Sequence, residues 1–270
     1  MKKLLFVFDH PNEDLWMDGL YKALIELEKD FEIVRLNLQK ADNTVEIEVM
    51  DFDFILGWGG FNSKVDHWMM THMQHPAKKG LCIGGNSFAP HSANSYDILF
   101  CETNYIKDVY LRGIVAKKVK AFGVNTDIYF TSDMPSPMVW DYLGVGSFSW
   151  WKRWDKMIGK KGSRLVVGEY QKGNEQESLL IIRDLVYNGV MVSPMVSPFD
   201  LSNIYQWSRT VYIPADINGG GERAIWEAKA CGCRVEVESD NPKLQELVHE
   251  EVLDHKAYAK SLKDGIYSML

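Results

Sequence analysis

The sequence predicts an α/β protein made of two successive Rossmann-like lobes, each with a parallel sheet, and a cleft between them. Three observations lead there. Short apolar runs alternate with amphipathic stretches from end to end, the pattern of βα units feeding a parallel sheet covered on both faces. The pattern breaks once, at residues 131–139, where Ser132, Pro135, Ser136 and Pro137 leave little periodicity and read as a linker, and then it resets. Finally, 270 residues hold one large domain or two small ones, and the reset favours two.

Taken in order, the strand-like runs of the first half are 4–8, 31–36, 52–58, 81–84, 97–101 and 119–124. Between them Leu20, Leu24 and Leu27 share one helical face, as do Trp68, His72 and His75. The N-terminus carries two lysines and an apolar run, but Asp9, His10 and Pro11 end that run too early for a signal peptide, so it reads as the first strand. After the linker come runs 142–148, 164–169, 190–194, 210–214 and 234–238. Asn174 with Glu177 resembles a capping box opening a helix through Arg183, Asp200 is placed to cap the helix carrying Ile204 and Trp207, and the chain from Asn241 on is largely helical. The expected division is a first lobe at 1–130, a second at 131–250, and a C-terminal helix at 251–270 that packs back on the first lobe.

Composition narrows the class. Hydrophobic residues make up 46% and charged residues 25%, the balance of a globular chain, and no run approaches the ~20 apolar residues of a membrane span. A net charge of −7 argues against a broad nucleic-acid surface while leaving room for a local basic groove. Cys231 and Cys233 form a C-x-C pair with no partner pair, so Cys82, Cys101, Cys231 and Cys233 read as reduced thiols of a cytoplasmic protein rather than zinc ligands. Asp66, His67, His72 and His75 read as an ordinary helix face, and no metal is expected. The loop at 9–14 lacks the G-x-G-x-x-G of a dinucleotide oxidoreductase.

The chemistry concentrates at residues 211–232, which read as strand, glycine turn and helix. Gly219, Gly220 and Gly221 let backbone approach a ligand closely, and the helix behind them presents unpaired N–H groups and the positive end of its dipole. Together these make an anion site suited to a diphosphate. The plain alternative is a turn before a helix with no ligand.

This stretch resembles the donor-binding signature of family-four glycosyltransferases, which have the GT-B fold: a strand ending in Pro, a glycine-rich loop, then Glu227-Ala228-Lys229-Ala230-Cys231-Gly232 before the next strand. The resemblance implies that Glu227 accepts hydrogen bonds from the nucleotide ribose. The family's second Glu, eight positions upstream, is Gly219 here, so contact with the donor sugar falls to Glu222, or to Asn218 and backbone amides. A second match, 143–155, resembles the segment whose Arg and Lys hold the diphosphate. Lys152 falls on the Lys position, Ser147 stands at the Arg position, and Arg153 is placed to compensate. Further matches are 121–130, with Asn125 replacing the family's Asp, and 97–103 with Lys107.

In the first lobe His91, or alternatively His10, is the candidate polar group toward the acceptor. Trp16, Trp58, Trp68, Trp150, Trp151 and Trp154 are candidates for stacking on sugars or bases, against core packing for most of them. The resemblance implies metal-independent transfer of a hexose or pentose, with retention, from a nucleoside-diphosphate sugar (a UDP- or GDP-sugar) and without a further cofactor. The acceptor is a hydroxyl on a glycan, a lipid-linked or small molecule, or a modified DNA base. Lys152, Arg153 and the amides near Gly220 and Gly221 would steady the leaving diphosphate. The chain is short for the family, in the manner of virus- or phage-encoded transferases. The competing reading is a non-catalytic sugar-nucleotide or glycan-binding protein descended from a transferase.

Overall fold

The computed structural model describes residues 1–40, 51–84, 91–132 and 136–270, with the side chains of residues 91 and 92 left out of the description. The chain divides into two compact units, Met1–Gly123 with Leu253–Leu270, and Val124–Val252.

The first unit holds a six-stranded, wholly parallel sheet in the order β2-β1-β3-β4-β5-β6. Its strands are β1 (Lys2–Phe8), β2 (Phe31–Asn37), β3 (Phe54–Gly59), β4 (Lys78–Ile83), β5 (Ile98–Cys101) and β6 (Lys117–Lys120). The apolar runs are continuous because both faces are covered. Leu5, Val7, Ile55, Leu81 and Leu99 join one core, with Val65 and Met69 of the helix Lys64–Thr71. Leu4, Phe6, Phe54, Leu56 and Phe100 point the other way. There they meet Leu20, Leu24 and Leu27 of the helix Gly19–Leu27, and Tyr258, Leu262 and Ile266 of the C-terminal helix His255–Tyr267. Each such side chain, fully buried, contributes about 1.5–3 kcal/mol.

Helix ends follow local chemistry. Asp18, Ser63 and Asp254 each accept a first-turn amide proton, from Tyr21, Asp66 and Ala257. Two expectations need correction. The helix carrying Trp68 stops at Thr71, so His75 lies beyond it, and His72 serves as its C-cap with its ring stacked 4.0 Å from Trp68. The last strand ends at Lys120 rather than at residue 124.

The second unit holds a five-stranded parallel sheet in the order β11-β10-β7-β8-β9. Its strands are β7 (Trp140–Val145), β8 (Arg164–Gly168), β9 (Met191–Pro194), β10 (Ser208–Ile213) and β11 (Arg234–Val237). Phe148, Trp154, Met157, Val166, Leu185 and Tyr212 form a core on one side. Here too two caps differ from expectation. Asn174 accepts no first-turn amide and instead donates to Glu177. The helix Pro198–Gln206 is capped by Ser197, which accepts from the Asp200 amide at 3.1 Å, while Asp200 sits in the first turn and accepts from the Ser197 hydroxyl at 2.6 Å. The sequence Ser-Pro explains this: Pro198 lacks an N–H and suits the first helical position, which makes Ser197 the cap.

Packing against the C-terminal helix is tight enough to test. A Cβ on Gly265 would lie 2.5 Å from Phe100 Cε1. Gly265→Ala gains about 1 kcal/mol of helix propensity but forces that contact apart, at about 1–3 kcal/mol. Urea denaturation is expected to show a net loss of stability.

Candidate functional site

In the second unit the chain runs from β7 to β8 on one side, while β10 pairs with β7 on the other. The point between β7 and β10 is therefore the topological switch point of this sheet, where open α/β sheets take ligands at the carboxyl ends of their strands. The loops that meet there are 146–152, after β7, and 214–221, after β10.

The second loop is built to hold a bare turn. Asp216 accepts from the Asn218 and Gly219 amides at 2.8 and 3.1 Å, and its own amide donates to Trp151 O at 2.9 Å. A Cβ on Gly219 would stand 2.7 Å from that same Trp151 carbonyl, so close approach demands glycine. Gly221, at φ 155°, N-caps the helix Glu222–Ala230, and a Cβ there would lie 2.6 Å from Ile213. Having no side chain, Gly221 leaves the first-turn amides without a side-chain cap. Asn218 is exposed at the tip. Asn241, fully buried, donates to Ala215 O and Asp216 O at 3.0 and 2.7 Å and fixes the loop from behind.

Lys152 lies across both loops. It is 7% exposed, its Cε would be 3.2 Å from a Cβ on Gly146, and its amine donates to Gly220 O. Burial pulls this ammonium down to about 8. Glu222 and Glu169 oppose the drop, and Lys243 and Arg223 add to it. Among the described residues, Gly220 O takes one of its three donors.

Glu222, 4% exposed, pairs with the fully buried Lys243 at 2.6 Å and accepts from the Gly221 amide at 2.7 Å. Burial alone would raise its carboxyl. The charges of Lys243 and Lys152 and these hydrogen bonds outweigh that and hold it below the usual range. Lys152, Glu222 and Lys243 thus form a buried cluster with one surplus positive charge under the turn.

Arg153 is held by backbone carbonyls and by Asp240. Its Nε donates to Pro214 O at 2.7 Å, Nη2 to Ala215 O at 3.2 Å, and both terminal nitrogens to Asp240 at 2.6 and 2.8 Å. Its guanidinium is thus engaged by the loop on one side and by Asp240 on the other. Glu227 is 3% exposed, and Oε2 accepts from the Tyr205 hydroxyl at 3.1 Å while Oε1 lies 3.4 Å from Arg223 Nε. Ser147 contacts Ser149 at 3.0 Å. Trp154 is core, and Trp150 is exposed.

His91 opens the short turn His91–Ser95, but its side chain, like residues 85–87 beside it, lies outside the described residues. Among the described residues no group of three or more His, Cys, Asp or Glu side chains is arranged to hold a metal ion, and no helix is long and apolar enough to cross a membrane.

Lys243, Asn241 and Tyr205 were missed by sequence reasoning. One signal was available for Lys243: it precedes Leu247 by four residues, so helical spacing places it on the buried face.

The buried pair sets a stability order. Glu222→Gln removes the carboxylate that pairs with Lys243 and acts on Lys152, whereas Lys243→Met leaves Glu222 with Lys152. Chemical denaturation is expected to show a loss of about 3–5 kcal/mol for Glu222→Gln and a smaller one for Lys243→Met.

No protein-family model matches the chain. No curated protein matches it in sequence. Solved structures do match in fold. The sucrose-phosphate synthase tll1590 from Thermosynechococcus elongatus superposes with a TM-score of 0.67 at 12% identity, over 98% of this chain and 89% of that one. Anabaena Alr3699/HepE, in complex with UDP and glucose, gives 0.64 at 14% identity, over 99% and 89%. MnaA from S. aureus, in a co-structure with UDP, gives 0.63 at 12% identity, over 100% and 97%. With two parallel-sheet α/β units and these neighbours, the chain has the GT-B fold.

Proposed function

We propose that the chain is a glycosyltransferase that takes a nucleoside-diphosphate sugar on its second unit and passes the sugar to a hydroxyl acceptor presented by the first. One observation carries this reading: the buried Lys152 amine lies against the Gly219-Gly220-Gly221 turn at the start of the helix Glu222–Ala230, at the switch point of the sheet. Amide protons, a helix dipole and a surplus buried cation converge there on the place a diphosphate would fill. The solved neighbours with UDP support a nucleotide donor, taken here as UDP or GDP.

In this account Lys152 and the amides around Gly220 and Gly221 stabilise the charge that develops on the departing diphosphate. Arg153 and Asn241 keep the turn in place. Glu227 receives the ribose hydroxyls, and the sugar meets Asn218 and the backbone rather than Glu222, whose carboxylate is committed to Lys243. Retention, independence from metal and a cytoplasmic setting complete the proposal, on the resemblance to family-four transferases. The second reading, a sugar-nucleotide-binding protein without turnover, is favoured by Gly219 where the family has an acidic residue and by the engaged Arg153. A transfer assay across UDP-, GDP- and ADP-sugars separates the two: product from any donor supports transfer, and tight binding without product supports the second reading.

Two outcomes test the residues. Lys152→Met is expected to weaken UDP binding at least tenfold by calorimetry. Diphosphate favours the charged amine, so wild-type affinity is expected to hold below pH 8 and fall as pH rises through about 8, a dependence the variant lacks. Glu227→Ala is expected to weaken UDP binding as well, and unchanged affinity would leave Glu227 as a pin between two helices.

A further inference from the structure

The helix Glu175–Tyr187, between β8 and β9, is apolar on two opposite faces. Toward the sheet it buries Ser178 and Leu185 and lays Ile181 and Ile182 against the core that holds Phe148, Trp154 and Val166. At about 3.6 residues per turn its other apolar side chains, Leu179, Leu180, Val186 and Tyr187, fall on the far side in one stripe centred on Arg183. With the whole chain present these four are 53%, 51%, 57% and 89% exposed. A surface helix ordinarily turns its charged face outward. Here leucines and a tyrosine face solvent while a serine faces the core.

The helix is pinned in that orientation. The fully buried Ser178 hydroxyl donates to Phe148 O at 2.7 Å and accepts from the Gln171 amide at 2.9 Å, and Glu177 accepts from the Trp150 amide at 2.6 Å. These contacts tie the first turn to the loops after β7 and β8, so rotating the helix to hide its leucines would strand buried polar atoms. The neighbouring sheet edge is blunted instead: β9 has four residues and ends in Pro194, two features that discourage strand addition.

Area and charge determine what fits this stripe. Its four side chains offer roughly 400–500 Å² of apolar surface, near the upper end of what a monomer shows as one patch. In an interface about 60% apolar, that corresponds to roughly 700–800 Å² per partner, the size of a standard specific contact. Glu175, Glu177 and Asp184 outweigh Arg183, which disfavours an anionic membrane or a nucleic-acid backbone. The stripe also complements itself. Exposed Arg183 stands at its centre with exposed Asp184 beside it, Nη2 lying 3.1 Å from Oδ1. When two such helices cross antiparallel about a two-fold axis, each arginine meets the other copy's aspartate, and a pair internal to one copy is exchanged for two across the axis.

We propose that the outer stripe of the helix Glu175–Tyr187 is a self-association surface, on which a second copy of this chain docks through the same helix in an isologous, antiparallel contact. Self-association of this kind does not depend on the transferase reading.

Sedimentation of the full chain over a concentration series tests it, with circular dichroism and thermal melting as checks on folding and flotation with phosphatidylcholine vesicles as a contrast. A reversible dimer with a Kd of about 10 μM or tighter is expected. Leu180→Glu and Tyr187→Ala are each expected to weaken it at least tenfold with the fold unchanged. Should either variant fail to fold, exchange of the charges decides: Arg183→Asp is expected to weaken the dimer at least fivefold, and Arg183→Asp combined with Asp184→Arg to return it to within threefold of wild type. A monomer at every concentration up to about 100 μM, a dimer indifferent to all of these variants, or a monomer that floats with the vesicles through Leu180 and Tyr187 would overturn the proposal.

Discussion

Lys152 carries its amine into the second unit at 7% exposure, and a charge so placed must be answered by its surroundings. Gly220 O and Glu222 answer it in part, Lys243 then balances Glu222, and one positive charge is left over beneath the turn. The surrounding architecture makes this arrangement possible. Glycines at 146, 219 and 221 give the lysine and the loops room to approach, and Arg153, Asp216 and Asn241 hold the backbone that frames it.

The two units differ in local charge. Around the turn of the second unit the balance is positive, with a helix N-terminus added to it. At the switch point of the first unit, among the described residues, Lys40 pairs with Glu13 and Lys64 lies 3.8 Å from Asp9.

Much of this was legible in the sequence, for identifiable reasons. Parallel strands buried on both faces read as continuous apolar runs, so β1, β3 and β10 stood out, and the run Gly219 to Gly221 before a helix pointed to the turn. What was hidden depends on long-range pairing. Nothing near Arg153 announces that its partners are Pro214, Ala215 and Asp240, and Glu222 gives no sign that Lys243 will claim it. Asp200 was read as a cap because its residue type suits that position, yet Pro198 shifts the helix start and hands the cap to Ser197. In the first unit the left-handed stretch from Leu15 to Met17 has no glycine to mark it.

The central claim is spatial, and a crystal structure of the chain with UDP tests it most directly. The account predicts diphosphate oxygens within hydrogen-bond distance of Lys152 Nζ and of amides in the turn from Gly219 to Gly221. Diphosphate density elsewhere on the chain, with Lys152 still bonded as it is here, would contradict it.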